Sequence, residues 1–194
     1  MKKLLTTVLL ALGLSACANH VADIEEYTQV IKLDPKNAEA YYKRGKAYYY
    51  TENYDQAIAD YTKAIENYTK AIEAKAPEAS EKNRFAKPFA YMGIASASQD
   101  LTSTRLDLAR TYYMRAEAYS AQKNYNKAIE SYTKALEFKP NEAFYYNHRA
   151  DAYYELKNYE AALKDAGYVC NYLRDCTRYN LWGYQFGLPR RNVR

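Results

Sequence analysis

Two histidines and three cysteines are the residues of this chain best suited to metal or nucleophilic chemistry. His20 and His148 lie far apart, with no HExxH and no cysteine–histidine cluster, so no metal site is expected. There is no GxSxG and no glycine-rich phosphate loop. The acidic residues are scattered along what read as helix exteriors, where a solvated face is the default. Nothing in the spacing points to paired carboxylates for acid–base work, so neither catalysis nor a cofactor is expected. That leaves the cysteines, and the segment before the first of them.

The chain opens MKKLLTTVLLALGLSAC. Lys2 and Lys3 precede an apolar run, Leu4 to Leu14, well short of the roughly 20 residues a membrane span requires. This is the pattern of a secretory leader. Its end, Leu14-Ser15-Ala16-Cys17, resembles the lipobox of bacterial lipoproteins. The resemblance implies cleavage after residue 16 and lipid attachment at Cys17, which would hold the chain on a bilayer. Ala18 stands where an Asp commonly retains lipoproteins in the inner membrane of Gram-negative bacteria, so the outer membrane, facing the periplasm, is the implied location. In that oxidising compartment Cys170 and Cys176 become a candidate disulfide. Six residues of unbroken helix would separate them by about 9 Å, beyond the roughly 7 Å limit for a bridge. A bridge therefore requires the helix to end near Leu173; two reduced thiols are the alternative.

Composition sets further limits. Removing Lys2 and Lys3 with the leader leaves 26 of the 28 basic residues against 23 acidic ones, a net +3. So mild an excess does not call for nucleic acid. Twenty-four tyrosines against one tryptophan and five phenylalanines are the unusual feature.

Self-comparison supplies the architecture. Arg115, Ala116, Ala118, Tyr119, Lys123, Asn124, Tyr125 and Ala128 meet the same residue types 34 positions later, at Arg149 through Ala162. An earlier copy carries Arg44, Gly45, Ala47, Tyr48, Asn53, Tyr54 and Ala57 at the same internal spacing. This period, with its small and aromatic positions, resembles the tetratricopeptide repeat. Small residues at Gly45 and Ala57, Ala116 and Ala128, and Ala150 and Ala162 allow two helices to approach closely, with Tyr48, Tyr119 and Tyr153 beside them. Asn53, Asn124 and Asn158 suit the turns, because Asn tolerates the left-handed conformation that ends a helix. Pro35 and Pro140 close second helices.

The expected fold is all-α, a short right-handed solenoid of antiparallel helix pairs. Residues 1–16 form the leader and 17–22 a linker, and the solenoid spans 23–176. It divides into a half-repeat 23–37, repeats 38–76, 109–142 and 143–176, and an irregular segment 77–108. That segment reads as an inserted helix, Pro88 to Gln99, before a long first helix entered at Thr102 or Ser103, or else as a decayed repeat. Residues 177–194 form a cap and basic tail, with Leu181, Trp182 and Phe186 available to cover the last repeat. Arg44, Arg115 and Arg149 stand where the family usually has Leu. They read either as a basic ladder or as locally paired side chains, Arg44 with Asp60 and Arg149 with Asp165.

The resemblance implies protein or peptide binding in a concave groove lined by first helices. The groove-facing slots are Tyr42, Lys46 and Tyr49, then Tyr113, Glu117 and Ser120, then Asn147, Asp151 and Tyr154. Tyrosine suits such a surface, with large contact area and little rotamer entropy to lose. The clamp with which some relatives hold chaperone C-termini is absent, since its slots carry Tyr42, Lys46, Phe144 and His148. The implied role is a membrane-anchored protein-binding adaptor or scaffold. The alternative is a peptidoglycan- or glycan-binding envelope protein using the basic aromatic tail, with Arg190, Arg191 and Arg194.

One phrase is individual to this chain: YTKAIEN followed by YTKAIEA, Tyr61 to Ala74. Seven residues advance a helix by about 700° and 10.5 Å, so a seven-residue insertion keeps every face in place. The added surface, Tyr68, Ala71 and Ile72, is expected to pack on Phe85, Phe89, Met92 and Ile94.

Overall fold

Only six glycines and five prolines punctuate 194 residues, and between them apolar and small side chains recur at helical spacing. The computed structural model describes residues 19–85, 91–172 and 176–185, and every regular element among them is an α-helix. In chain order these are α1 (19–33), α2 (Ala38–Tyr50), α3 (Tyr54–Phe85), α4 (Tyr91–Ala121), α5 (Tyr125–Phe138), α6 (Ala143–Glu155), α7 (Tyr159–Tyr172) and α8 (Thr177–Gln185). From α2 onward each helix packs on the next. Cys17 and the leader lie outside the described residues, as do Phe186 and the arginines beyond it.

The close approach of α2 to α3 depends on Gly45: a Cβ there would stand 2.9 Å from Tyr61 Cε1 and 3.2 Å from Asp60 Cβ. Ala116 and Ala150 fill the equivalent slots and are fully buried. On the facing helices Ala57, Ala128 and Ala162 are buried as well. The largest fully enclosed side chains are Tyr61 and Tyr132, each wedged between a first helix and its partner.

The first-to-second helix turns differ from the expected chemistry. The left-handed residues are Glu52, Lys123 and Lys157, with φ of 60°, 59° and 60°. Each is followed by the asparagine, whose N–H reaches back five residues: Asn53 to Tyr48 O (2.9 Å), Asn124 to Tyr119 O (2.8 Å), Asn158 to Tyr153 O (2.9 Å). This is the Schellman closure of a helix C-terminus. The asparagines instead stand at the head of the next helix, where Asn158 Oδ1 accepts from Ala161 N–H.

The irregular segment is also corrected. No helix starts at Thr102 or Ser103, because α4 is continuous from Tyr91 to Ala121. The hydroxyls of Ser103 and Thr104 donate to the Asp100 carbonyl at 2.9 and 2.8 Å, bonding back into the helix instead of capping it. The insertion lengthens both helices of one hairpin: α3 has 32 residues and α4 has 31, against 13 or 14 in α2, α5, α6 and α7. Phe85, Phe89, Met92 and Ile94 lie outside the described side chains. Tyr68 and Ile72 of the doubled phrase pack with Leu108 and Tyr112 of α4 and Phe138 of α5.

At the C-terminal end α7 reaches Tyr172, and Cys170 and Cys176 are joined by a disulfide, their Cα atoms 4.1 Å apart. Trp182 and Tyr179 are buried against Ala150, Ala162 and Ala166. Leu181, expected to join them, is 62% exposed.

Left-handed backbone costs an L-residue roughly 1–2 kcal/mol, part of which glycine loses again in unfolded-chain entropy. Replacing Glu52, Lys123 or Lys157 by glycine should therefore stabilise the fold by about 0.5–1 kcal/mol each, read from urea denaturation midpoints.

Candidate functional site

The nine groove slots lie on α2, α4 and α6, and the structure assigns them different roles. Tyr113 is the hub of an aromatic group. Its ring stacks on Tyr145 (centroids 5.0 Å, interplanar 17°) and lies 5.3 Å from Phe144, 5.5 Å from His148 and 5.9 Å from Tyr132. Phe144 remains 51% exposed, with its ring 4.3 Å from that of His148. Tyr42 lies beside Tyr61 at 6.1 Å, and Tyr49 meets Tyr54 edge to face at 5.6 Å. Tyr42, Tyr49 and Tyr113 are half-buried, each presenting part of a ring to solvent.

Glu117 sits within the aromatic group, half-buried. It accepts hydrogen bonds from the Tyr132 hydroxyl and from His148 Nδ1, the latter at 3.0 Å. Burial alone would raise its carboxyl, but donors on His148, Tyr132 and Tyr113 outweigh that and hold it below the usual range. Burial, reinforced by the neighbouring Glu117 charge, pushes the Tyr113 and Tyr132 hydroxyls well above theirs. Ser120 Oγ lies 3.4 Å from the Tyr132 hydroxyl.

The same slot is filled differently in each repeat. In the first it is Lys46, which offers donors and no acceptor. Tyr61, equivalent to Tyr132, therefore has no acceptor, and its buried hydroxyl is without a hydrogen bond. Lys46 turns outward over the Tyr50 ring (5.7 Å), into a small cleft with His20, Asp23, Tyr27 and Lys43. In the third repeat it is Asp151, held by Arg178 Nε and Nη2 at 2.8 and 2.6 Å. Tyr154 beside it stacks on Trp182 at 5.0 Å.

Glu117, Ser120, Asp151 and Tyr154 of the expected groove are thus engaged within the fold. Glu117 ties α4 to α6 through His148, and Asp151 ties α6 to α8 through Arg178, so α8 occupies the place of a next first helix. Asn147, one turn before Asp151 on the same face, is only 7% exposed. The surface left for a partner is aromatic: Tyr42 and Tyr49 of α2, Tyr113 of α4 and Phe144 of α6. In the sequence Phe144 and His148 stand out only as departures from the chaperone clamp, because no repeat offset marks them as a contact pair. Among the described residues no group of His, Cys, Asp and Glu is arranged to hold a metal, and no helix is long and apolar enough to cross a membrane.

Tyr61 and Tyr132 should respond oppositely to loss of the hydroxyl. Tyr61→Phe removes an unsatisfied buried group and should stabilise by about 1 kcal/mol, whereas Tyr132→Phe loses a bond to a carboxylate and should cost about 1.5–3 kcal/mol. The Glu117 carboxyl is depressed in the folded state, so its contribution is present above its unfolded pKa and lost as pH falls through the folded one. The destabilisation caused by Glu117→Gln should therefore be largest near neutral pH and shrink on acidification, as measured by thermal unfolding at a series of pH values.

The tetratricopeptide repeat pattern matches residues 38–68 and 109–142, and a second TPR repeat pattern matches 24–51. Comparison with curated proteins by sequence gave no match. Among solved structures, MamA 41-end from Desulfovibrio magneticus RS-1 is 16% identical over 84% of this chain and 94% of that one, with a TM-score of 0.33. YrrB, described as a TPR protein with an unusual peptide-binding site, is 15% identical over 89% and 87%, with a TM-score of 0.36. The P58(IPK) TPR domain is 16% identical over 92% and 63%, with a TM-score of 0.39. Over the residues that carry the pattern, the chain belongs to the tetratricopeptide repeat family.

Proposed function

We propose that this chain is a protein-binding adaptor of the bacterial envelope, anchored in the outer membrane through lipid on Cys17 and presenting its repeats to the periplasm. Tetratricopeptide repeats are typically non-catalytic scaffolds, and no catalytic family matches the chain. The observation that carries the binding reading is the aromatic surface around Phe144, half-exposed against Tyr113 and His148 with no covering element among the described residues. Large rings with polar tips, already held by their neighbours, lose little entropy when a partner docks. An amphipathic helix or extended segment is the natural ligand for such a face. The anchoring reading is supported by the leader and by the four residues ending in Cys17.

A photo-crosslinking side chain placed at Phe144 in living cells should give a discrete protein adduct, and the same probe at Leu181 should not. A probe at Phe144 that captures nothing, or the same species as Leu181, would count against the groove. Fatty-acid labelling should mark the wild type and not Cys17→Ala, and a labelled alanine variant would remove the anchor from the reading.

A further inference from the structure

Three arginines occupy one slot in three first helices, and two of them are fully engaged. Arg44 donates Nε and Nη2 to the two oxygens of Asp60, both at 2.8 Å, and Nη1 to Thr28 Oγ1 at 3.1 Å. Arg149 repeats this with Asp165 at 2.7 and 2.8 Å and Thr133 at 3.0 Å. In both, the acid lies 16 residues after the arginine and the threonine 16 before. The fork is bidentate, the strongest arrangement available to a guanidinium.

Arg115 departs from its two equivalents. Sixteen residues on stands Ser131, whose Oγ accepts from Nε at 3.2 Å. Sixteen residues back stands Gln99, which belongs to the same unbroken helix and lies about 24 Å away along it. The guanidinium stacks over the Tyr112 ring at 5.2 Å, as Arg149 does over Tyr146 at 5.4 Å. So Arg115 is positioned like the others, yet no described residue accepts from its two terminal nitrogens.

We propose that Arg115 and Ser131 form a binding site for a small carboxylate, which takes the position that an aspartate fills in the other two repeats. The guanidinium donates from its terminal nitrogens, and the Ser131 hydroxyl, already accepting from Nε, supplies a further donor. Size follows from the equivalents: the Asp60 and Asp165 side chains are 9% and 7% exposed, so the position admits an acid of one or two carbons and not the surface of a folded partner. Arg115 lies midway between Tyr113 and Glu117 on α4, which places it on the opposite side of the helix from the aromatic face. The site is therefore independent of the adaptor reading.

The test is thermal unfolding of the mature chain in sodium formate or acetate, against sodium chloride at matched ionic strength. The wild type should show a saturable rise in Tm with either carboxylate beyond that in chloride. Ser131→Asp should begin about 2–4 °C higher, from the fork completed within the chain, and show no carboxylate-specific rise. Arg115→Gln should show none either, and it carries the test alone if the aspartate variant does not fold. An effect matched by chloride, one retained in either variant, or a folded Ser131→Asp variant no more stable than the wild type overturns the site.

Discussion

The arginine–aspartate pairs are the contacts on which the stacking depends. A solenoid has no central core, so its order comes from what each repeat does to its neighbour. Arg44 and Arg149 each sit on a first helix, hold an aspartate on the following second helix, and touch a threonine on the preceding one. Each therefore fixes three consecutive helices at once. Because the pairs are largely buried, losing either partner leaves a charge without solvent, at a cost of about 3–5 kcal/mol. The small residue that follows each arginine brings the helices close enough for the fork to reach. With a Cβ in place of the bare Cα at Gly45, α2 would meet Asp60 and Tyr61 too closely for that geometry.

Tyrosine abundance creates a second constraint, since every buried hydroxyl needs an acceptor. Tyr132 finds one in Glu117, and Tyr61, in the repeat where Lys46 fills that slot, does not. In the third repeat the equivalent of Tyr132 is Ala166, which leaves Asp151 for Arg178. One slot on the first helix thus decides what a repeat holds: through Glu117 both its own tyrosine and the next first helix, and through Asp151 the following helix alone.

The period of 34, the small residues and the arginine–aspartate partners sixteen residues apart were legible because they follow from geometry within a helix pair, which is the same in every copy. The links between successive first helices were not legible. Glu117 reaches His148, the sixth residue of α6, across 31 positions, and Asp151 reaches Arg178, only the second residue of α8, across 27. No fixed offset announces such a pair, so groove slots that read as free proved to be engaged. The turns misled for a local reason: asparagine suits both the left-handed position and the helix N-cap, and here the residue before it takes the left-handed φ. Thr102 and Ser103 misled similarly, since a hydroxyl that caps a helix can equally bond back within one.

The lengthened hairpin has a mechanical consequence. At about 1.5 Å per residue, α3 and α4 each extend over roughly 48 Å, more than twice the length of the neighbouring helices. A force applied near the C-terminal end of α3 and the N-terminal end of α4 acts through a long lever on the seams at the base, between α2 and α3 and between α4 and α5. Torque at the first seam meets Arg44 locked on Asp60; at the second it meets Arg115 with only a serine. The α4–α5 seam is held instead by the Tyr132–Glu117 bond, which the α2–α3 seam lacks, so the two seams resist a load at the tip through different contacts.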